Sequence, residues 1–247
     1  DDDTAGDDDD TAGDDDTAGD DDDTAGDDDD TAGDADDTAG DDDDTAGDDD
    51  TAGDDDDSIS ACPASGATAS LGDIIVTEFM ANPGAVADDV GEWFEIYNTT
   101  SQAIDISGWT ISDTGVDSQC VSPASPLVVP AQGYAVLGMT NDSSINGDVT
   151  VDWAYGNEWF LANYGDEIVL TDVAGTEIFS LFYANASGPH ADPIVHSGRS
   201  TWLDPLLLNG TAAADINNWC SVAGAAPVWT GSAGDEGTPG TVNPTCP

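Results

Sequence analysis

The sequence contains almost no positive charge. Its combined Lys and Arg content is one residue, Arg199, against 54 Asp and Glu residues, and the formal net charge at pH 7 is −53. Proteins that bind nucleic acid by neutralising phosphates need clusters of basic side chains, so no nucleic-acid partner is predicted. The same charge disfavours an anionic membrane surface. Without lysine, a P-loop cannot be completed, and phosphoryl-transfer chemistry of that kind is not expected.

The sequence also lacks the marks of membrane-spanning, zinc-binding and common hydrolytic proteins. No apolar run approaches the roughly 20 residues of a membrane span, so no transmembrane segment is predicted. The cysteines form neither a CxxC motif nor a Cys/His cluster of zinc-ligand spacing. No GxSxG or GxGxxG fingerprint follows a suitable strand. The chain is therefore predicted to be non-enzymatic.

Aspartate is in excess, and it is concentrated at the start of the sequence. Residues 1–57 hold 32 of the 54 acidic residues: 28 lie in eight repeats of six or seven residues, each ending in Thr-Ala-Gly, and four follow the last repeat. No apolar side chain larger than Ala occurs before Ile59. Burial cannot offset the entropy cost of ordering such a tract, so a solvated, disordered acidic tail is one interpretation. The unequal repeat lengths argue against a stacked solenoid and favour an extended tract.

The regular interruption of the Asp runs favours a second interpretation, in which the tract binds cations. In an extended chain, each DDDD places two carboxylates on each side about 7 Å apart, which suits hard cations with oxygen ligands. Calcium is the predicted cofactor, bound weakly or at many sites, because the DxDxDG loop with its later Glu is absent. The predicted ligands are Asp7, Asp8, Asp9, Asp10, Asp20, Asp21, Asp22, Asp23, Asp27, Asp28, Asp29, Asp30, Asp41, Asp42, Asp43 and Asp44.

Two sets of side chains are candidate glycosylation sites. Candidate O-glycan acceptors are the tract threonines Thr4, Thr11, Thr17, Thr24, Thr31, Thr38, Thr45 and Thr51. N-x-Ser/Thr sequons begin at Asn98, Asn141, Asn185 and Asn209. Bound cations, attached glycans and packing against neighbouring copies are three ways in which the tract can become ordered.

The four cysteines predict two disulfides and, with the acidic composition, an extracellular or cell-surface location. Three pairings are possible. We favour Cys62–Cys246, which brackets the folded region, together with Cys120–Cys220, which lies within it.

Beyond the tract, residues 58–72 are small and polar and are predicted to be a linker, followed by one domain over residues 73–247. Apolar and alternating segments recur every ten or so residues between Gly, Pro, Asn and Asp, with no long stripe at helical spacing. The pattern predicts an all-β sandwich, with immunoglobulin-like topology as the leading candidate. The predicted strands are residues 74–80, 92–98, 104–106, 108–112, 127–129, 134–137, 167–170 and 177–183.

Several ordered motifs carry a family resemblance. They are Asn82-Pro83, Gly91-Glu92-Trp93-Phe94-Glu95-Ile96-Tyr97-Asn98, the segments 105–113, 130–137 and 161–170, Gly198-Arg199-Ser200, Asn218-Trp219 and the segment 237–243. With these motifs, residues 73–243 resemble a lamin-tail domain of the bacterial secreted type. The resemblance implies an immunoglobulin-like sandwich that serves as an interaction or display module without catalytic activity. No coiled-coil rod precedes it, so a nuclear lamin is not indicated.

Individual polar residues have structural interpretations beside functional ones. Glu92 and Glu95 are three apart on a strand and so face opposite sides of the sheet, which favours a structural or surface role over a catalytic pair. His190 and His196 flank Asp192 and offer a metal site, but no third ligand of matching spacing is near, which favours loop histidines.

The lone Arg199 is predicted to pair with a carboxylate of the domain. The tryptophans are predicted to pack in or beside the core. If Trp153, Trp159, Trp202 and Trp229 were exposed, they would instead mark a binding surface for sugars or partners.

Three functions are compatible with these features. The favoured one is a structural subunit of an extracellular fibre or surface layer, with copies of the chain as partners. The second is a monomeric surface-displayed binding module on an acidic calcium-binding stalk, with glycans or cell-surface components as partners. The third is an accessory domain of a secreted hydrolase.

Overall fold

The computed structural model describes residues 62–115, 117–184, 194–229, 232 and 234–247, which form an all-β, immunoglobulin-like sandwich. The strands among these residues are β1 (Ile74–Met80), β2 (Trp93–Asn98), β3 (Ile104–Asp105), β4 (Thr110–Ser112), β5 (Ser118–Cys120), β6 (Val128–Val129), β7 (Tyr134–Gly138), β8 (Trp153–Ala154), β9 (Gly165–Thr171), β10 (Glu177–Ala184), β11 (Thr201–Leu203) and β12 (Trp219–Cys220). Short helices lie between some of them: α1 (Asp88–Gly91), α2 (Gly210–Ala213), and single 3-10 turns at Pro205–Leu207 and Ile216–Asn218.

Two sheets form the layers of the sandwich. The larger has the strand order β12-β11-β1-β2-β7-β8, and the smaller has the order β10-β9-β4-β5. Strands β3 and β6 form a separate two-stranded ladder. Strand β1 pairs antiparallel with β2 and β11, whereas β7 and β8 run parallel. Strands β1 and β2 therefore lie at the centre of the larger sheet.

The space between the two sheets holds the main apolar core. Phe79, Tyr183 and Trp219 are each at most 1% exposed, and the Phe79 ring centroid lies 4.5 Å from that of Tyr183 and 5.7 Å from that of Trp219. Aromatic side chains of this size bury large apolar areas and dominate the energetics of a core. Loss of Trp219 would leave one of the largest cavities available in this domain.

Antiparallel sheets commonly have one face packed on the core and one face in solvent. In the larger sheet the outer face is covered as well. All seven residues of β1 are buried. A second apolar cluster of Met80, Trp93 and Val136 lies on this outer face, where the Trp229 ring packs edge-on to Trp93 at 6.1 Å. Because both faces of β1 are covered, its residues do not alternate between buried and exposed.

Residues 62–72, predicted to be a linker, are held against the sandwich. The N–H of Ala67 donates to the carbonyl oxygen of Asp105 at 2.7 Å, and Nε1 of Trp109 donates to the carbonyl oxygen of Ala67 at 2.8 Å. Gly108 has φ 78°, and a Cβ there would lie 2.0 Å from the carbonyl oxygen of Pro63. The close approach of the two backbones requires glycine.

Candidate functional site

The most unusual chemistry in the described residues is a pair of buried carboxyl groups on the outer face of the larger sheet. Glu78 of β1 and Glu95 of β2 are direct cross-strand neighbours, and both side chains are 0% exposed. A β-bulge at Thr77 shifts the register just before this pair, so that Thr77 and Glu78 both reach the outer face. Two acidic groups directly opposite each other repel when both are ionised.

Neutral donors surround the pair. Ser200 donates its hydroxyl proton to Oε1 of Glu78, and the N–H of Thr238 donates to the same oxygen at 2.8 Å. The hydroxyl of Thr77 lies 2.6 Å from Oε1 of Glu95, and the N–H of Gly240 donates to Oε2 of Glu95 at 2.8 Å. Within the part of the chain that the structure describes, the pair is thus satisfied by hydrogen bonds rather than by a counter-charge.

The hydrogen-bond pattern at Thr238 indicates that Glu78 carries a proton. The Thr238 hydroxyl oxygen lies 2.9 Å from Oε2 of Glu78 and 2.7 Å from Oδ1 of Asn243. Nδ2 of Asn243 donates to the carbonyl oxygen of Thr77 at 2.8 Å, so its Oδ1 is the atom facing Thr238. One hydroxyl proton cannot satisfy two acceptors. If Glu78 is protonated, it donates to Thr238, which in turn donates to Asn243.

Burial is the main cause that raises the pKa of Glu78 from 4.5 to about 7, although the bonds from Ser200 and Thr238 oppose it. Burial and then the charge of Glu78 raise the pKa of Glu95 well above its ordinary value. Carboxyls with such values can serve in acid–base chemistry. Here the side chains have no exposed surface, so they fit a structural role.

A third buried carboxyl, Glu92, lies just before β2 and is 5% exposed. Its Oε2 accepts from the N–H of Leu161 at 2.8 Å. Burial raises its pKa to about 8; the Leu161 bond opposes this rise, and the charge of Asp88 adds to it. Glu92 and Glu95 have separate partners, which agrees with the structural role predicted for both.

The predicted metal ligands lie mainly outside the described residues. The sixteen tract aspartates lie there, as do the tract threonines, Asn185, His190 and Asp192. Within the described ranges, no group of three His, Cys, Asp or Glu side chains is placed to hold a metal ion.

The presence of two disulfides is confirmed, but the pairing predicted from the sequence is wrong. Cys62 is bonded to Cys120 and Cys220 to Cys246, with Cα–Cα distances of 5.5 and 5.9 Å. Neither Cys62–Cys246 nor Cys120–Cys220 forms.

The physical reason is that each terminal segment of the sandwich is fastened locally. Residues 62–67 run beside β3 and β4, where Ala67 bonds Asp105, and this places Cys62 near β5. The last residues return to β11, where Nε1 of Trp202 donates to the carbonyl oxygen of Pro244 at 3.0 Å. Bracketing of the domain by Cys62 and Cys246 in the sequence does not bring them together in space.

The predicted N-glycan at Asn98 is wrong for the folded domain. The side chain is 0% exposed, and its Nδ2 donates to the carbonyl oxygens of Gln102 at 2.7 Å and Val129 at 3.1 Å. Its Oδ1 accepts from the N–H and the hydroxyl of Thr100. Asn141 and Asn209 are exposed, and their glycosylation stays a prediction.

Replacement of this buried amide should destabilise the domain. We expect Asn98→Ala to lower the free energy of unfolding by about 2–4 kcal/mol, because the buried carbonyl group of Val129 and the backbone groups of Gln102 and Thr100 lose their partner. The exposed sequon residue supplies a matched control, since Asn141→Ala should change it by at most about 0.5 kcal/mol. Urea denaturation followed by Trp fluorescence measures both; equal effects of the two substitutions would contradict the role given to Asn98.

Arg199 and the tryptophans have mainly structural contacts. Among the described residues, the predicted ion pair of Arg199 is replaced by a hydrogen bond from its Nη1 to the carbonyl oxygen of Ser221 at 3.1 Å. The packing role predicted for the tryptophans is confirmed, since six are at most 8% exposed: Trp93, Trp109, Trp153, Trp159, Trp202 and Trp219. Trp229 is half-buried, and its Nε1 donates to the carbonyl oxygen of Gly147 at 2.9 Å.

Sequence reasoning missed Glu78. The available signal was a carboxylate in the middle of Ile74–Met80, a segment otherwise made of apolar residues and one Thr. Ionisable side chains are almost never fully buried unless paired or hydrogen-bonded, so a Glu in such a run marks a specific polar site.

Comparison with known families supports the domain. Residues 67–185 match the family model described as the Lamin Tail Domain, a family of immunoglobulin-like domains. The match is compatible with a non-enzymatic structural or binding module, and it ends before the segment that contains Arg199, Thr238 and Asn243. A search of curated proteins found no match. None of the helices in the described ranges has the length and hydropathy that crossing a membrane requires.

Proposed function

We propose that this chain is a non-enzymatic extracellular structural protein, a subunit of a surface fibre or layer. The sandwich forms the body, and the Asp-rich tract binds Ca²⁺ and joins or spaces neighbouring copies. The observation that carries the proposal is the disulfide between Cys62 and Cys120, which fastens the sandwich five residues after the tract ends in the sequence. A covalent bond at that place prevents the first segment from peeling away when the tract is pulled.

The charge balance supports a cation in this role. The tract has 32 aspartates and the whole chain one arginine, so compaction or association of tracts needs counter-ions from solution. Divalent cations with oxygen ligands can bridge carboxylates of two chains, which monovalent counter-ions do less effectively.

The buried carboxyl groups of the sandwich support a non-enzymatic function. Glu78, Glu92 and Glu95 are buried and bind backbone N–H groups and hydroxyls of the domain itself. Disulfides persist in oxidising compartments, which supports the extracellular location.

Electron microscopy of the full chain tests the proposal. With millimolar Ca²⁺ we expect filaments or sheets in negative stain, and with a chelator we expect them to loosen or disperse. A variant with every tract Asp replaced by Asn should not assemble. A second variant, with the same tract composition in scrambled order, separates charge from the repeat pattern. Dispersed particles under both conditions would contradict the fibre and favour a monomeric display module.

Calcium binding has its own test. Isothermal titration of Ca²⁺ into the full chain should give a saturable heat with a defined number of ions per repeat. The Asp→Asn tract variant is the control and should give no such heat. A heat that fits only diffuse counter-ion condensation, without a defined stoichiometry, would contradict calcium sites in the tract. Assembly would still be tested by the microscopy.

A further inference from the structure

The last segment of the sandwich, residues 236–246, crosses the outer face of the larger sheet and is named the C-terminal strap here. At its start, the N–H of Glu236 donates to the carbonyl oxygen of Gly198, and the N–H of Ser200 donates to that of Glu236, both at 2.9 Å. At its end, Cys246 is covalently bonded to Cys220. Between these ends, the strap lies over β1 and β2.

The middle of the strap is held by the buried acid pair. Thr238 bonds Glu78 through both its N–H and its hydroxyl, and Gly240 bonds Glu95 through its N–H. Asn243 adds its bond to the carbonyl oxygen of Thr77. Nε1 of Trp202 in β11 also donates to the carbonyl oxygen of Pro244. Apart from these two bonds and the two ends, the strap's polar contacts to the sheet converge on two carboxyl groups.

We propose that the strap is a proton-controlled latch, which lies closed on the sheet while Glu78 and Glu95 hold protons and opens as a tethered loop when they lose them. It stands independently of the fibre proposal. The geometry carries it: two cross-strand carboxyls with no exposed surface are each bonded by their own neutral donors, and the Thr238 hydroxyl satisfies both of its neighbours only when Glu78 is protonated.

The groups around the pair do not supply a counter-charge among the described residues. Tyr134 of β7 has a pKa raised to about 12, by burial first and then by the charge of Glu95, so it stays neutral. The guanidinium of Arg199, next to Ser200, is turned to the carbonyl oxygen of Ser221. Other titratable groups near the pair or the strap are Tyr97 of β2, Asp152 before β8, and Asp235 and Glu236 at the start of the strap. His196 forms a bridge with Arg199 beside that start, and Oδ2 of Asp204 accepts from the N–H of Cys246 at 3.2 Å.

Ionisation of both carboxyls therefore leaves two buried negative charges side by side, and solvation of these charges requires the cover to move. The strap is the cover, because Glu78 and Glu95 belong to central strands that cannot leave the sheet. Opening uncovers the neighbouring apolar cluster: a Cβ on Gly240 would lie 3.9 Å from Val136, and one on Gly237 would lie 3.2 Å from Trp229. The Cys220–Cys246 disulfide keeps the opened strap attached.

Amide hydrogen exchange of the full, oxidised chain tests the latch. After correction for intrinsic exchange, we expect the opening equilibrium of the strap amides Thr238 and Gly240 to rise on the order of 50-fold between pH 5 and 8.5 for one controlling carboxyl. Amides of β9 report unfolding of the whole sandwich and supply the internal reference, so at pH 8.5 the strap amides should open with a larger equilibrium constant than the β9 amides. An unchanged strap, or equal opening equilibria in strap and β9, would overturn the proposal.

Substitutions identify the controlling groups. In Glu78→Gln the amide imitates the protonated acid, since its NH₂ can donate to Thr238 and its oxygen can accept from Ser200. We expect this variant and Glu95→Gln each to reduce the pH dependence of strap opening by about tenfold or more. The exposed Glu158→Gln is the matched control and should keep the wild-type dependence. If the control and Glu78→Gln behave alike, the latch is excluded.

Discussion

Lowering the pH from 8 to 5 is expected to raise the free energy of unfolding of the sandwich by several kcal/mol. The cause is that burial raises the pKa of Glu78 to about 7 and that of Glu92 to about 8, from an ordinary 4.5. The folded state therefore binds more protons than the unfolded chain above pH 4.5. Stability from these groups is fully present below that pH and is lost as the pH rises through 7 and 8.

The size of the effect follows from the displaced pKa values. A pKa raised by one pH unit corresponds to about 1.4 kcal/mol, so Glu78 alone contributes about 3 kcal/mol at most. By the same conversion Glu92 contributes about 5 kcal/mol at most. Glu95 acts in the same direction. Water penetration on local opening reduces the sum. Burial raises the pKa of Asp172, but the hydrogen bonds from backbone N–H groups, led by that of Thr176, outweigh burial and lower it. Asp172 therefore has the opposite effect on the free energy of unfolding, which its protonation lowers below about pH 4. Maximum stability is therefore expected near pH 4 to 5.

Urea denaturation at fixed pH values between 4 and 9 measures this dependence, with Trp fluorescence as the signal. High salt throughout screens the charge of the acidic tract, because the Debye length falls to about 3 Å at 1 M. Glu92→Gln and Glu78→Gln should each flatten the curve, whereas Glu158→Gln should leave its slope unchanged. A free energy of unfolding that rises from pH 5 to 8 would contradict protonated, buried carboxyls.

Much of the fold could be predicted because its long strands carry local signals. The alternation of Trp93, Phe94, Glu95, Ile96 and Tyr97 between Gly and Asn marks β2 almost residue by residue, and the apolar run at 74–80 gives the bounds of β1. Period-2 patterns depend on one face being buried, and they are clear wherever a strand is long enough to show them.

Short strands and long-range contacts could not be predicted in the same way. Strands β5, β8, β11 and β12 have two or three residues each, too few for a period to appear. Their positions depend on tertiary pairing, as when β11 extends the larger sheet beside β1. The acid pair could not be predicted for the same reason, because the hydrogen-bond donors to Glu78 come from positions 200 and 238, far along the sequence.

Removal of both disulfides is expected to cost about 7 to 8 kcal/mol in the free energy of unfolding, enough to unfold a domain of ordinary stability. The Cys62–Cys120 bond closes a loop of 58 residues and the Cys220–Cys246 bond one of 26. In the chain-entropy model, these loops correspond to about 4 and about 3.5 kcal/mol. The core of the sandwich supplies the remainder of its stability.

The two bonds should differ in what their loss releases. In Cys62→Ser with Cys120→Ser, residues 62–72 lose their covalent fastening while the strap stays closed. In Cys220→Ser with Cys246→Ser, the strap loses its covalent fastening, so its amides should exchange faster even at pH 5, where the latch is closed. Peptide mapping without reductant checks the connectivity directly. If it links Cys62 to Cys246, the strap and the first segment are joined to each other, and neither double variant would release one without the other.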